Sequence, residues 1–138
     1  MEAIRTERLS KRYKDILAVN RLDLTVEQGE LFALLGVNGA GKTTAIKMLS
    51  CLTRPSAGEA WLEGKSILSQ AAEVKQRIGV SPQETAVAPN LTAEENLLLM
   101  CGVHGFSKEK SRQKAAELAA QLGLAPILHR RAGKLSGG

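Results

Sequence analysis

Leu22, Leu24 and Val26 alternate with Asp23 and Thr25, which predicts a half-buried strand of antiparallel type, because successive strand side chains point to opposite faces. Ala3 to Leu9 is expected to form an opening strand anchored by Ile4 and Leu9, although its alternation is poor. After a turn at Glu27-Gln28-Gly29-Glu30 comes Leu31-Phe32-Ala33-Leu34-Leu35, a continuous apolar run of the kind expected for a buried parallel strand. Ala45, Ile46, Met48, Leu49 and Leu52 then recur at helical spacing. A turn at Arg54-Pro55-Ser56-Ala57-Gly58 leads into alternation over Glu59 to Glu63, with Glu63-Gly64-Lys65 as a hairpin tip.

The second half reads as helical. Ser69 is expected to cap a short helix containing Ala71, Ala72 and Val74, and Arg77 to Ser81 returns to an extended state stopped by Pro82. Thr92-Ala93-Glu94-Glu95 has the form of a capping box, in which a threonine and a glutamate exchange hydrogen bonds at a helix start. It opens a helix carrying Leu97, Leu98, Met100 and Cys101, ending near Gly102 or Gly105. Ser107 caps another helix running to Leu122, with Ala115, Leu118, Ala119 and Leu122 on one face. Pro126 and Gly133 mark a loop.

Between the apolar run and the first helix lies Gly36-Val37-Asn38-Gly39-Ala40-Gly41-Lys42-Thr43-Thr44, which fits the phosphate-binding loop pattern. The chemistry requires these residue types. Glycines adopt positive φ and let amide N–H groups come close to an anion. Lys42 brings a positive charge to the outer phosphates, and Thr43 offers a hydroxyl to magnesium. A strand before and a helix after make the match informative, since the first-turn amides and the helix dipole then face the phosphates. The chain is thus expected to bind a nucleoside triphosphate.

Composition changes this picture little. The 138 residues suffice for one domain with a core, which the scarcity of aromatics makes aliphatic. The run Leu97 to Cys101 is too short to span a bilayer, no signal-peptide pattern is present, and two distant cysteines suit a reducing compartment. These features point to a cytosolic protein whose membrane association comes through a partner. The net charge of +5 concentrates at Lys108 to Lys114 and at Arg130, Arg131 and Lys134, without the interleaved aromatics of a nucleic-acid surface. It reads as solvated helix face and loop. Cys101 and His104, three apart, are too few for a metal site, and Trp61 reads as a packing residue.

With this loop, Gln83 and the closing Leu135-Ser136-Gly137-Gly138 in view, the sequence resembles the ATP-binding domain of ABC transporters along essentially its whole length. The resemblance implies an α/β P-loop NTPase core with an antiparallel β-subdomain and a helical subdomain, truncated before the later strands of the central sheet. Residues 1–83 would form the first part of the nucleotide-binding core, 84–134 the helical subdomain and 135–138 the start of the signature motif. Tyr13 sits where the family places an aromatic residue against adenine. Residues Gly36, Asn38, Gly39, Ala40, Gly41, Lys42, Thr43 and Thr44 would bind the phosphates of ATP. Thr43 and Gln83 would hold Mg2+, with Gln83 also near the attacking water, while Ser136, Gly137 and Gly138 would contact ATP bound by an opposing subunit.

The implied partners are a transmembrane transporter subunit and a second ATP-binding domain, of the same or a related chain, set head to tail. No nucleic acid is expected, and the location would be cytoplasmic, on the inner face of the membrane. Leu91 to Leu97 is similar to the same segment of exporter-type subunits. The family's aspartate, catalytic glutamate and switch histidine follow the signature, beyond these 138 residues, so the chain is expected to be inactive alone. Two alternatives stay open: an ABC ATPase acting on nucleic acid or ribosomes, and a nucleotide-binding fragment without turnover.

Overall fold

A computed structural model describes residues 1–37, 39, 41–81 and 87–135. The chain divides into two compact units, Met1–Val80 and Ser81–Gly138. In the first, strands β1 (Glu2–Tyr13), β2 (Ile16–Glu27), β3 (Ala57–Leu62) and β4 (Lys65–Ser66) form one antiparallel sheet in the order β2-β1-β3-β4. Helices α1 (Lys42–Leu49) and α2 (Ala71–Arg77) complete this unit.

The expected alternation is realised in β2, where Leu22, Leu24 and Val26 turn inward and Asp23 and Thr25 face solvent. The opening strand is longer than expected, and its weak alternation has a structural cause. Its register with β2 shifts between Glu2 and Ile4 and between Thr6 and Leu9, where β1 carries an extra residue, and again between Leu9 and Lys11 and between Lys11 and Arg12, where the extra residue is in β2. An extra residue in β1 resets which of its side chains face inward. Arg8 and Arg21, at φ 45° and 49°, lie in these irregularities. The hairpin tip is as expected: Glu63 (φ 47°) and Gly64 (φ 76°) join β3 to β4 in the left-handed conformations that a two-residue turn demands.

The core is aliphatic. Leu9, Val19, Ala60 and Leu62 from the sheet meet Ala45, Met48 and Leu49 of α1, with Ile67 and with Val74 of α2. Leu9, Met48 and Val74 are fully buried. On the other side of β3, Trp61 carries the Arg5 guanidinium 4.8 Å from its ring centroid, a cation–π contact that suits packing.

Three expectations need correction. Leu31 to Leu35 is not a strand: it has no ladder partner among the described residues, and Leu31 and Leu35 are 99% and 87% exposed. Only Leu34 touches the core. A parallel strand is held by neighbours on both sides, and an apolar sequence cannot supply them. Second, α2 starts from Gln70 rather than Ser69, because the Ser66 hydroxyl already accepts the amides of Leu68 and Ser69 (3.0 and 3.1 Å) and closes the turn before the helix. Third, Ile46, Leu52 and Leu122 are exposed: Ile46 lies on the outer face of α1, whereas Leu52 and Leu122 lie past the ends of α1 and α4, which are shorter than the apolar spacing implied.

In the second unit, α3 (Ala93–Val103) packs on α4 (Lys108–Gln121); α3 buries Cys101, and α4 buries a stripe of small residues, Ser111, Ala115 and Ala119, spaced one turn apart. The capping box forms as the sequence predicts: the Thr92 hydroxyl accepts from the Glu95 amide (3.1 Å), and the Glu95 carboxylate accepts from the Thr92 amide (3.0 Å). Ala93 and Glu94 donate their amides to the carbonyls of Arg130 and Leu128 at 3.1 and 3.0 Å. The first-turn donors of α3 are therefore all taken. Ser107 caps α4, accepting from the Lys110 amide at 3.3 Å.

Two outcomes test this description. Met48→Ala should lower the stability of the chain by about 2–5 kcal/mol, read from urea unfolding, because it opens a cavity between α1 and the sheet. Thr92→Ala should cost about 1 kcal/mol. Glu95 adds a pH signature: the Thr92 backbone bond, then its hydroxyl, holds the carboxyl below its ordinary 4.5. A pKa lowered by folding gives stability that is present above the unfolded value and lost as pH falls through the folded one. The stability difference between the wild type and Glu95→Gln should thus shrink as the pH falls below 4.5, and a constant difference would contradict the box.

Candidate functional site

The helix that follows the glycine-rich loop starts in an unusual way. Its N-cap is Gly41, in the left-handed region at φ 93°, with no side-chain cap. The Gly41 carbonyl accepts the first helical bond, from the Ala45 amide at 2.9 Å. The amides of Lys42, Thr43 and Thr44 meet no acceptor among the described residues. A helix N-terminus with free amides and the positive end of its dipole is suited to an anion.

Gly41 is fixed by what lies behind it. A Cβ at this position would stand 2.1 Å from the Ala18 carbonyl oxygen and 3.2 Å from a Val19 methyl. Ala18 is the residue left without a partner where β2 bulges: Arg12 pairs with Leu17 and Lys11 with Val19. The bulge brings the Ala18 backbone up against the loop, and only glycine leaves room for it. The loop is seated on the sheet by a backbone-to-backbone contact.

The remaining loop residues gather around this seat. Gly39 has φ 87°, and the Lys42 ammonium donates to the Gly36 carbonyl, so the lysine bends back across the loop. Thr43 is exposed and Thr44 half-buried in the first helical turn. A concavity of about 300 Å³ adjoins the loop, lined by β2 residues from Leu17 to Asn20, by Leu34 and Leu35, and by Gly41, Lys42 and Ala45. A larger concavity, of about 520 Å³, holds none of the sequence-predicted site residues and has mixed charge from Glu7, Arg8, Arg21 and Glu59. The smaller one is the concavity that adjoins the glycine-rich loop.

Tyr13 ends β1, opposite Ile16, with 42% of its surface exposed. The stretch of β2 that pairs with the end of β1 is the one that seats Gly41, so the two features share one end of the hairpin. The Lys11 ammonium lies 5.2 Å from the Tyr13 ring centroid. Sequence reasoning passed over Lys11, although its spacing of two from Tyr13 places both side chains on one strand face. The structure thus brings together Gly36, Gly39, Gly41, Lys42, Thr43 and Thr44, with Tyr13 on the adjoining hairpin. Asn38, Ala40, Gln83, Ser136, Gly137 and Gly138 lie outside the described residues. Among the described residues no cluster of three metal-ligating side chains occurs, and no helix is long and apolar enough to cross a membrane.

The comparisons with known proteins agree in kind. The family model for ABC transporters matches residues 19–138. A doxorubicin-resistance ATP-binding protein of Mycobacterium tuberculosis is 44% identical over 89% of this chain and 37% of its own length. A Nod factor export ATP-binding protein of Burkholderia orbicola is 42% identical over 94% of this chain and 43% of its own. The chain thus spans about two fifths of the length of the curated relatives it matches. Among solved structures, a dimeric ATP-binding cassette in a post-hydrolysis state, bound to ADP and phosphate, superposes with a TM-score of 0.79 at 25% identity, over 96% of this chain and 63% of that one.

The seat of the loop can be tested directly. Gly41→Ala combines left-handed strain with a clash against the β2 backbone and should cost about 2–4 kcal/mol in urea unfolding. Gly39→Ala has no atom within 4 Å of the added Cβ and bears strain alone, about 1–2 kcal/mol. Equal losses in the two variants would mean that the contact with Ala18 does not hold the loop.

Proposed function

The chain belongs to the ABC transporter family, and from that premise we propose that it is part of an exporter's ATP-binding subunit, coupling ATP binding and hydrolysis to transport by a membrane partner. The observation that carries this reading is the uncapped start of α1, seated on β2 and crossed by Lys42. Two relatives named for drug resistance and for Nod factor export support the direction of transport.

In this reading the first-turn amides of α1 and the Lys42 ammonium take the outer phosphates of ATP, replacing the Gly36 carbonyl as the partner of Lys42. The exposed Thr43 hydroxyl at the first turn fits a magnesium ligand, with Gln83 as a second, and the ion would offset phosphate charge. Tyr13 stacks the adenine. Ser136, Gly137 and Gly138 serve the ATP of a second ATP-binding domain arranged head to tail. Residues 1–83 form the first part of the nucleotide-binding core, and 84–134 pass the motion from Gln83 to a membrane-spanning subunit at the cytoplasmic face. The positions that in this family activate water are not among these 138 residues, so turnover needs them from elsewhere.

The test is ATP binding and turnover by this chain beside Lys42→Ala. Binding that depends on Lys42, with no turnover, is expected. Turnover abolished by Lys42→Ala would overturn the assignment of the missing groups, and binding indifferent to Lys42→Ala would overturn the site.

A further inference from the structure

We propose that Lys11 is a positioning residue that holds Tyr13 as a base platform and ties it to the helix carrying the phosphate loop. The inference rests on the reading of Tyr13 given above. Lys11 makes two contacts at once. Its ammonium lies 5.2 Å from the Tyr13 ring centroid, within cation–π range, and donates to the Arg54 carbonyl at 2.8 Å. Arg54 belongs to the turn that follows α1 and precedes β3. Two more hydrogen bonds fasten that turn to the same part of β1: the Arg12 amide donates to the Ser56 hydroxyl at 2.9 Å, and the Ser56 amide donates to the Ser10 carbonyl at 2.8 Å.

α1 is thereby pinned to the β1–β2 hairpin near both ends. Gly41, at its start, rests on Ala18, and the turn beyond its end is bonded to residues 10–12. Eight residues of helix measure about 12 Å, a fixed length between the two fastenings. Base and phosphates of one nucleotide must be met at a set separation, and this arrangement sets it. Lys11 is the member of the fastening that also touches the ring. The backbone bonds place the strand, whereas the Lys11 ammonium restrains the Tyr13 side chain itself, whose free rotation would otherwise be lost on stacking.

Lys11→Met keeps the aliphatic stem and removes the charge, and Lys11→Arg keeps both the charge and the donor. With calorimetry on the 138-residue chain, Lys11→Met should weaken ATP binding about three- to tenfold. It should leave binding of inorganic tripolyphosphate unchanged, and Lys11→Arg should restore most of the loss. In a Tyr13→Ala background, Lys11→Met should have no further effect. Equal weakening toward tripolyphosphate, or an undiminished effect without the ring, would overturn the positioning role in favour of a structural one. Unchanged ATP affinity in Lys11→Met would overturn it outright. If Tyr13→Ala itself leaves ATP affinity intact, the base-platform reading falls and this inference falls with it.

Discussion

The contact between Gly41 and the Ala18 carbonyl is the constraint on which the candidate site depends. Two irregular pieces of backbone meet there, a left-handed helix N-cap and a strand bulge, and each makes sense only beside the other. Without the bulge, the β2 backbone would have no reason to approach the loop. Without the glycine, the loop could not accept the approach. The contact holds the start of α1, and Met48 and Leu49 then anchor the helix in the aliphatic core.

Two helix starts show how the chain separates structural from chemical use of the same feature. At α3 the first-turn amides are consumed by the capping box and by the carbonyls of Leu128 and Arg130. At α1 the cap has no side chain at all, and the first amides are left without partners among the described residues. Leaving such donors unmade is costly in a buried place and cheap at a solvent-facing one, where water or an anion can take them. Glutamates stand in the first turn of α3, whereas α1 has no acidic residue there to repel a phosphate.

Much of this was legible in the sequence where the signal is local. Alternation over Leu22 to Val26, the Glu63-Gly64 tip, the Thr92 and Ser107 caps and the loop itself each follow from a few adjacent residues. What was not legible depends on residues far apart in the chain. The apolar run Leu31 to Leu35 has the composition of a buried strand, but pairing is a property of neighbours and not of the run. The bulge at Ala18 has no composition of its own, and β1 looked poorly alternating for the same reason. Ser69 was displaced as a cap by Ser66, three residues earlier, a choice that only the β4 turn decides. The fastening through Lys11 and Arg54 links positions 43 residues apart.

The chain's single tryptophan and single tyrosine, Trp61 and Tyr13, both belong to the sheet-bearing unit. Trp61 carries the Arg5 guanidinium, and Tyr13 the Lys11 ammonium. Near-ultraviolet emission from this protein therefore comes from one half of it. The helical unit, whose aromatic content is Phe106, is optically silent at those wavelengths and visible through its backbone alone. The molecule is in effect labelled on one side by its own sequence, and a change in emission reports on that side before any probe is attached.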